Sequence, residues 1–224
     1  MSEWWTYRPA DLLMFAPRTY WRLFELHNEA LWPAQALTAL AALIMAGGLW
    51  QRRVSAVRAG LALLAACWAL VAWTFFWQRY APINAAAGAF AIAFAVQAGG
   101  LLALVPALDA RTSSLTGPRW AGLALLGWAL VAHPCLASIS GRPWSQAEFF
   151  GLAPDPTAIG TLGVLLLVSS QRRWVRFLLT VLWFLALSWC AVSAATLWTM
   201  GSSQGWVSAA GAVLALAMKL RRRA

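Results

Sequence analysis

Seven stretches of this chain run apolar for long enough to cross a hydrocarbon layer, and that constrains the fold more than any other feature. A core of roughly 30 Å takes about 20 helical residues. Runs at residues 31–50, 57–77, 85–107, 120–138 and 175–200 meet that length, while 157–170 and 206–220 reach it only through their flanks. Lipid offers no partner for backbone N–H and C=O groups, so such runs must be helical unless they close a barrel. A barrel needs alternation with period two, and the unbroken runs 61–64 and 164–168 lack it. With 62% hydrophobic and 11% charged residues, against about 45–50% and 25% in soluble chains, the expectation is an all-α polytopic transmembrane bundle. It has seven spans, or six if one short run stops within the membrane.

Charge placement orients the bundle. Arg52, Arg53 and Arg58, then Arg111 and Arg119, then Arg172, Arg173 and Arg176, then Lys219 and Arg221 to Arg223 fall on alternate connections. Twelve of the seventeen Lys and Arg thus share a face with Asp109 alone among the seven acids. Positive charge is retained in the cytoplasm, which puts the C-terminus inside and the N-terminus outside. The same asymmetry explains the net charge of +10 as topology plus attraction to anionic lipid on the cytoplasmic face. Nucleic acid is therefore not expected as a partner. No signal peptide is visible. The expected organisation is a tail and amphipathic helix at 1–30 on the outer side, a membrane domain at 31–220 and a basic tail at 221–224. Tryptophans such as Trp32, Trp50, Trp120 and Trp206 sit at span ends, as interfacial anchors do. Cys67, Cys135 and Cys190 lie within spans without a C-x-x-C pair, so they read as small buried apolar residues rather than disulfides or zinc ligands.

Within the bundle, the alanine- and glycine-rich third run is the expected centre, since small residues let backbones approach. Gln97 lies near its middle and either bonds a neighbouring helix or lines a solvated path. A string at 59–64, Ala-Gly-Leu-Ala-Leu-Leu, recurs at 121–126, and Trp-Ala-Leu-Val-Ala at 68–72 recurs at 128–132, a candidate parallel duplication. Residues 9–29 carry Arg18, Arg22, Glu25 and Glu29 at steps of four, three and four. One charged helical face is expected there, an interfacial helix bent near Pro33, with Arg22 and Glu25 able to pair.

The unusual polar residues collect on the outer side. His27 and Glu29 enter the first span, Arg79 and Asn84 form the next outer turn, His133 ends the fourth span, and Glu148 and Asp155 follow it. Ionisable groups at membrane depth are costly, so they count as candidates for function. Candidate ligand-binding residues are Glu25, His27, Glu29, Arg79, Asn84, Gln97, His133, Glu148 and Asp155, and no catalytic residue is assigned. His133 precedes Pro134, which loosens the preceding turn; the imidazole either bonds a freed carbonyl or handles a ligand or proton. Asp155, between two prolines, suits a helix N-cap or a vestibule facing a helix N-terminus. The aromatic connection between the fourth and fifth runs is expected to fold back onto the bundle.

The strings Ser2-Glu-Trp-Trp-Thr-Tyr7, Pro17-Arg-Thr-Tyr20, Leu23-Phe-Glu-Leu26, Trp32-Pro-Ala-Gln35, Arg79-Tyr-Ala81 and Pro154-Asp-Pro-Thr157 carry a resemblance. The chain resembles an uncharacterised family of bacterial multi-span membrane proteins, a domain of unknown function loosely described as permease-like. The resemblance implies the bacterial inner membrane and supplies no activity. Relatives carry a Trp after the Asn of the second turn, where Ala85 stands here.

From the residues, the leading expectation is a small-solute or ion permease, or a membrane ligand-binding protein, with an outward-facing polar pocket. Alternatives are a structural or assembly subunit that forms homo- or hetero-oligomers through its helices, and a haem or metal protein using His27 and His133 as ligands. No cofactor is otherwise expected. Soluble-enzyme motifs such as H-E-x-x-H and G-x-S-x-G are missing, so an enzyme is not expected; Ser138, Ser140 and His133 leave an intramembrane hydrolase open.

Overall fold

The computed structural model describes residues 13–51, 53–107 and 116–221, and all its regular structure is helical. Residues 1–12 of the expected N-terminal region at 1–30, the charges Arg52, Asp109 and Arg111, and residues 222–224 of the expected basic tail at 221–224 lie outside the described residues. In order come α1 (Pro17–Ala30), α2 (Ala34–Trp50), α3 (Val54–Leu70), α4 (Ala87–Ala107), α5 (Thr116–Gly127), α6 (His133–Ile139), α7 (Pro154–Leu165), α8 (Arg173–Thr199) and α9 (Gly205–Arg221). A π-helical segment, Val71–Tyr80, extends α3, and another, Trp128–Ala132, joins α5 to α6. Pro134 accounts for the second: it cannot donate a backbone hydrogen bond and its ring presses on the previous turn, which a wider turn relieves.

Four helical runs among the described residues are long and apolar enough to cross a membrane: Val54–Tyr80, Ala87–Ala107, Gly117–Ile139 and Arg173–Thr199. The pair α1 and α2, bent by 84° at the break beside Pro33, would make a fifth. The remaining two runs are shorter helices: α9 has 17 residues and α7 only 12. The rings of Trp32, Trp50, Trp77, Trp120, Trp174, Trp198 and Trp206 are exposed and stand at or near helix ends.

The centre of the bundle is α7, not the third span. Every residue of α7 is buried, enclosed by α3, α5, α8, α9 and the π segment Trp128–Ala132. On α4, by contrast, Gly88 and Gly99 have open space where a side chain would stand. Small residues do admit a close helix crossing, as expected, but at Gly122 of α5 against Gly163 of α7. A Cβ on either would come within 2.5–2.6 Å of the other's carbonyl oxygen. Trp68 donates its indole N–H to Thr161 Oγ1 at 2.8 Å, fixing α7 against α3. Gln97 is fully buried and donates to the Leu182 carbonyl at 3.2 Å, tying α4 to α8.

Connectivity places α1, the turn after Tyr80, the 140–153 connection and the turn before α9 at one end, called here the α1 face. There Gln204 reaches the Leu136 carbonyl at 2.9 Å and Ser140 Oγ at 2.7 Å. At the opposite, basic end Trp50 packs edge-on against Trp120, and Arg119 bonds the Trp50 carbonyl.

Candidate functional site

The amphipathic reading of α1 explains how the α1 face closes. Tyr20, Leu23, Phe24 and His27 recur every three or four residues and are buried, whereas Arg18, Arg22 and Glu29 face outward. Arg22 and Glu25 form the expected ion pair, and Glu25 also accepts from Gln146 Nε2 at 3.2 Å. Asn28 donates to the carbonyls of Ser145 and Ala147, both at 2.8 Å. The connection after α6 thus folds back, as its aromatic content suggested, and is stitched beneath α1.

That fold-back carries Glu148 inside. His133, Glu148 and Asp155 are all buried, and one ligand-type atom from each lies within 4.8 Å of the other two. Asp155 does not cap α7. The N-cap is Ala153, without a side-chain cap bond, and Asp155 sits in the first helical turn. Its Oδ1 accepts the Trp189 indole N–H at 2.8 Å; its Oδ2 accepts Ser193, and Ser208 at 3.0 Å. Three donors from α8 and α9 offered this carboxylate more than its own helix N-terminus did.

Arg142 bounds the cluster. Its guanidinium stands 3.5 Å from the centroid of the Trp21 ring, donates to Gln204 Oε1 at 2.7 Å and the Gln146 carbonyl at 3.1 Å, and is 3.9 Å from Glu148 Oε1. With both carboxyls ionised, a single guanidinium would leave a surplus of negative charge in a buried place. Burial and the Asp155 carboxylate push the Glu148 carboxyl up to about 8, with Arg142 pulling the other way. A carboxyl raised on folding stabilises the fold fully below its unfolded value near 4.5 and loses that contribution as pH rises through about 8. Chelator-treated protein should therefore lose stability from about pH 6.5 to about pH 8, by up to roughly 1.4 kcal/mol per pH unit, and level off above that. The Glu148→Gln variant should flatten that slope; an unchanged slope would assign it to Asp155, the other buried carboxyl of the cluster.

The other candidates are more dispersed. His27 is buried, with Nε2 3.1 Å from the Leu152 carbonyl and its ring edge-on to Phe75. The cluster that includes His133 does not include His27. Asn84 donates to the Tyr80 hydroxyl at 2.8 Å and accepts from the Ala86 N–H, shaping its turn. Arg79 is half-buried and Glu29 exposed. Cys67 and Cys190 are buried as expected, but Cys135 is exposed, and its thiol meets the Val131 carbonyl at 3.3 Å in the turn widened before Pro134.

Sequence reasoning missed Arg142, Trp189, Ser193 and Ser208. Ser193 and Ser208 carried a signal, being hydroxyls inside otherwise apolar runs, where a polar group usually bonds another helix. Nothing in the sequence paired them with Asp155.

Among the described residues the molecule is all-helical, with several helices long and apolar enough to cross a membrane and a buried His-carboxylate-arginine cluster at one end. The chain belongs to DUF6064, a family of unknown function, whose model matches residues 18–224. Comparison with curated proteins and with solved structures finds no match.

Proposed function

We propose that this is a multi-pass protein of the bacterial inner membrane that binds a small cationic ligand at its outward-facing His133–Glu148–Asp155 cluster, as an ion permease or a membrane ligand-binding protein. The observation carrying this reading is the buried convergence of two carboxyls and an imidazole against a single guanidinium. Buried charge is expensive unless matched, so such a place favours a proton or another cation. In this reading α7 and α9 complete seven spans. The α1 face is external: it holds Glu25, Glu29, Glu148 and Asp155, while Arg53, Arg58, Arg119, Arg172, Arg173, Arg176, Lys219 and Arg221 gather at the opposite end. There a cleft of about 210 Å³, lined by Arg176, Lys219, Ser169 and Ser170, suits an anionic lipid headgroup.

The test is a thermal-shift series on detergent-purified protein with sodium, potassium, ammonium, methylammonium, zinc and manganese salts. A ligand at about a hundred times its Kd should raise the melting temperature by roughly 5 °C or more, and Glu148→Gln should abolish the rise. Indifference to every cation would overturn the reading. Flux of the stabilising ion into proteoliposomes then separates a permease from a binding protein.

A further inference from the structure

We propose that His133, Glu148 and Asp155 form a site for one divalent transition-metal ion of the zinc, iron or manganese type. This rests on the reading of the cluster as a cation site and names the cation. Three residues from distant parts of the chain supply it: His133 from the start of α6, Glu148 from the folded-back connection, Asp155 from the first turn of α7. Their ligand atoms lie within 4.8 Å of one another, yet no ion pair or hydrogen bond joins His133 to either carboxylate among the described residues. Neighbouring ligands of a tetrahedral first-row ion, with bonds of about 2.0–2.2 Å, stand about 3.4 Å apart. Closing the cluster on an ion therefore needs a movement of under about 1 Å by each side chain.

The imidazole is the independent sign of a ligand. His133 is 3% exposed, and its Nδ1 has no hydrogen-bond partner among the described residues. A buried polar atom left so costs about 1–3 kcal/mol unless something meets it. The surroundings resemble the outer shell of a metal site, in which neighbouring groups hold the ligands at a fixed angle. Asp155 is oriented by Trp189, Ser193 and Ser208, and among the described residues its Oδ1 accepts from Trp189 alone, leaving a lone pair for an ion. Arg142 stands beside Glu148 Oε1 and is itself held by Gln204 and the Trp21 ring, which leaves Oε2 for coordination. One imidazole with two carboxylates selects against calcium and magnesium, which prefer all-oxygen shells, and against copper(I), which prefers sulfur.

Isothermal titration of chelator-stripped protein in detergent with zinc chloride, and separately with manganese chloride, tests the site. The expected result is one ion per chain, with His133→Ala and Glu148→Gln each weakening binding by about tenfold or more. Arg142→Lys, which touches no ligand atom of the ion, should weaken it less. X-ray absorption on zinc-loaded wild-type protein supplies a reading independent of variant folding: a first shell of one imidazole with carboxylate oxygens is expected. Absence of stoichiometric binding, or a shell without imidazole, would overturn the metal assignment. If sodium, potassium, ammonium or methylammonium still raises the melting temperature through Glu148 while zinc and manganese do not bind, the inference falls and the cation-site reading stands. If no cation acts through Glu148, both fall.

Discussion

Replacing Gly163 with valine should prevent the bundle from closing. Gly163 and Gly122 cross with each backbone carbonyl where the other's side chain would be, and a Cβ at Gly163 would also stand 3.1 Å from the Leu126 amide nitrogen. No flexible side chain is available to yield at that point, because the obstacles are main-chain atoms of α5. Overpacking a tight core costs about 1–3 kcal/mol and sometimes more; against rigid backbone the upper end applies, so about 3 kcal/mol or more is expected for Gly163→Val. In a membrane the loss is felt fully, since helix association there depends on van der Waals fit rather than on exclusion of water. The measurement is the yield of monodisperse protein in mild detergent together with its melting curve. Gly127→Ala is the control, on α5, the other helix of the crossing, with nothing within 4 Å of its added methyl. It should be neutral or stabilising by several tenths of a kcal/mol through helix propensity. Equal tolerance of the two substitutions would contradict the close crossing.

The second large effect concerns Asp155. Asp155→Ala removes the acceptor shared by the Trp189 indole and the Ser193 and Ser208 hydroxyls, all of them buried. Each stranded donor costs about 1–3 kcal/mol, and serine hydroxyls can turn to other acceptors, so about 3–5 kcal/mol is expected for the whole. Asp155→Asn keeps one oxygen and adds a donor that a serine oxygen can accept; it should cost less than half as much. Because the three donors act on one group, adding Ser193→Ala to Asp155→Ala should cost little further. Melting or chemical unfolding with chelator present excludes any contribution from bound metal. If Ala and Asn proved equal and both below about 1 kcal/mol, the carboxylate would not be the tie between α7, α8 and α9.

Much of this architecture is readable from residue order. Run length and the lack of period-two alternation required helices. The i, i+3 and i, i+4 spacing on α1 exposed its two faces, and the Arg22–Glu25 pair followed from that spacing. The enclosure of α7 was not readable, because a helix of small and branched apolar residues looks alike whether its neighbours are lipid or protein. Asp155 shows the same gap. Proline on both sides gave a sound reason to expect an N-cap, yet its partners lie 34, 38 and 53 residues further along.

Residue order by itself determined which segments are helical and that the rare ionisable groups gather toward one end, because hydrophobic run length and charge spacing act locally along the chain. Tertiary structure alone decided which of those groups meet. His133, Glu148 and Asp155 converge only once the 140–153 connection is drawn under α1 and the glycine crossing seats α7 at the centre. Those contacts join segments far apart in sequence, where periodicity carries no information about partners.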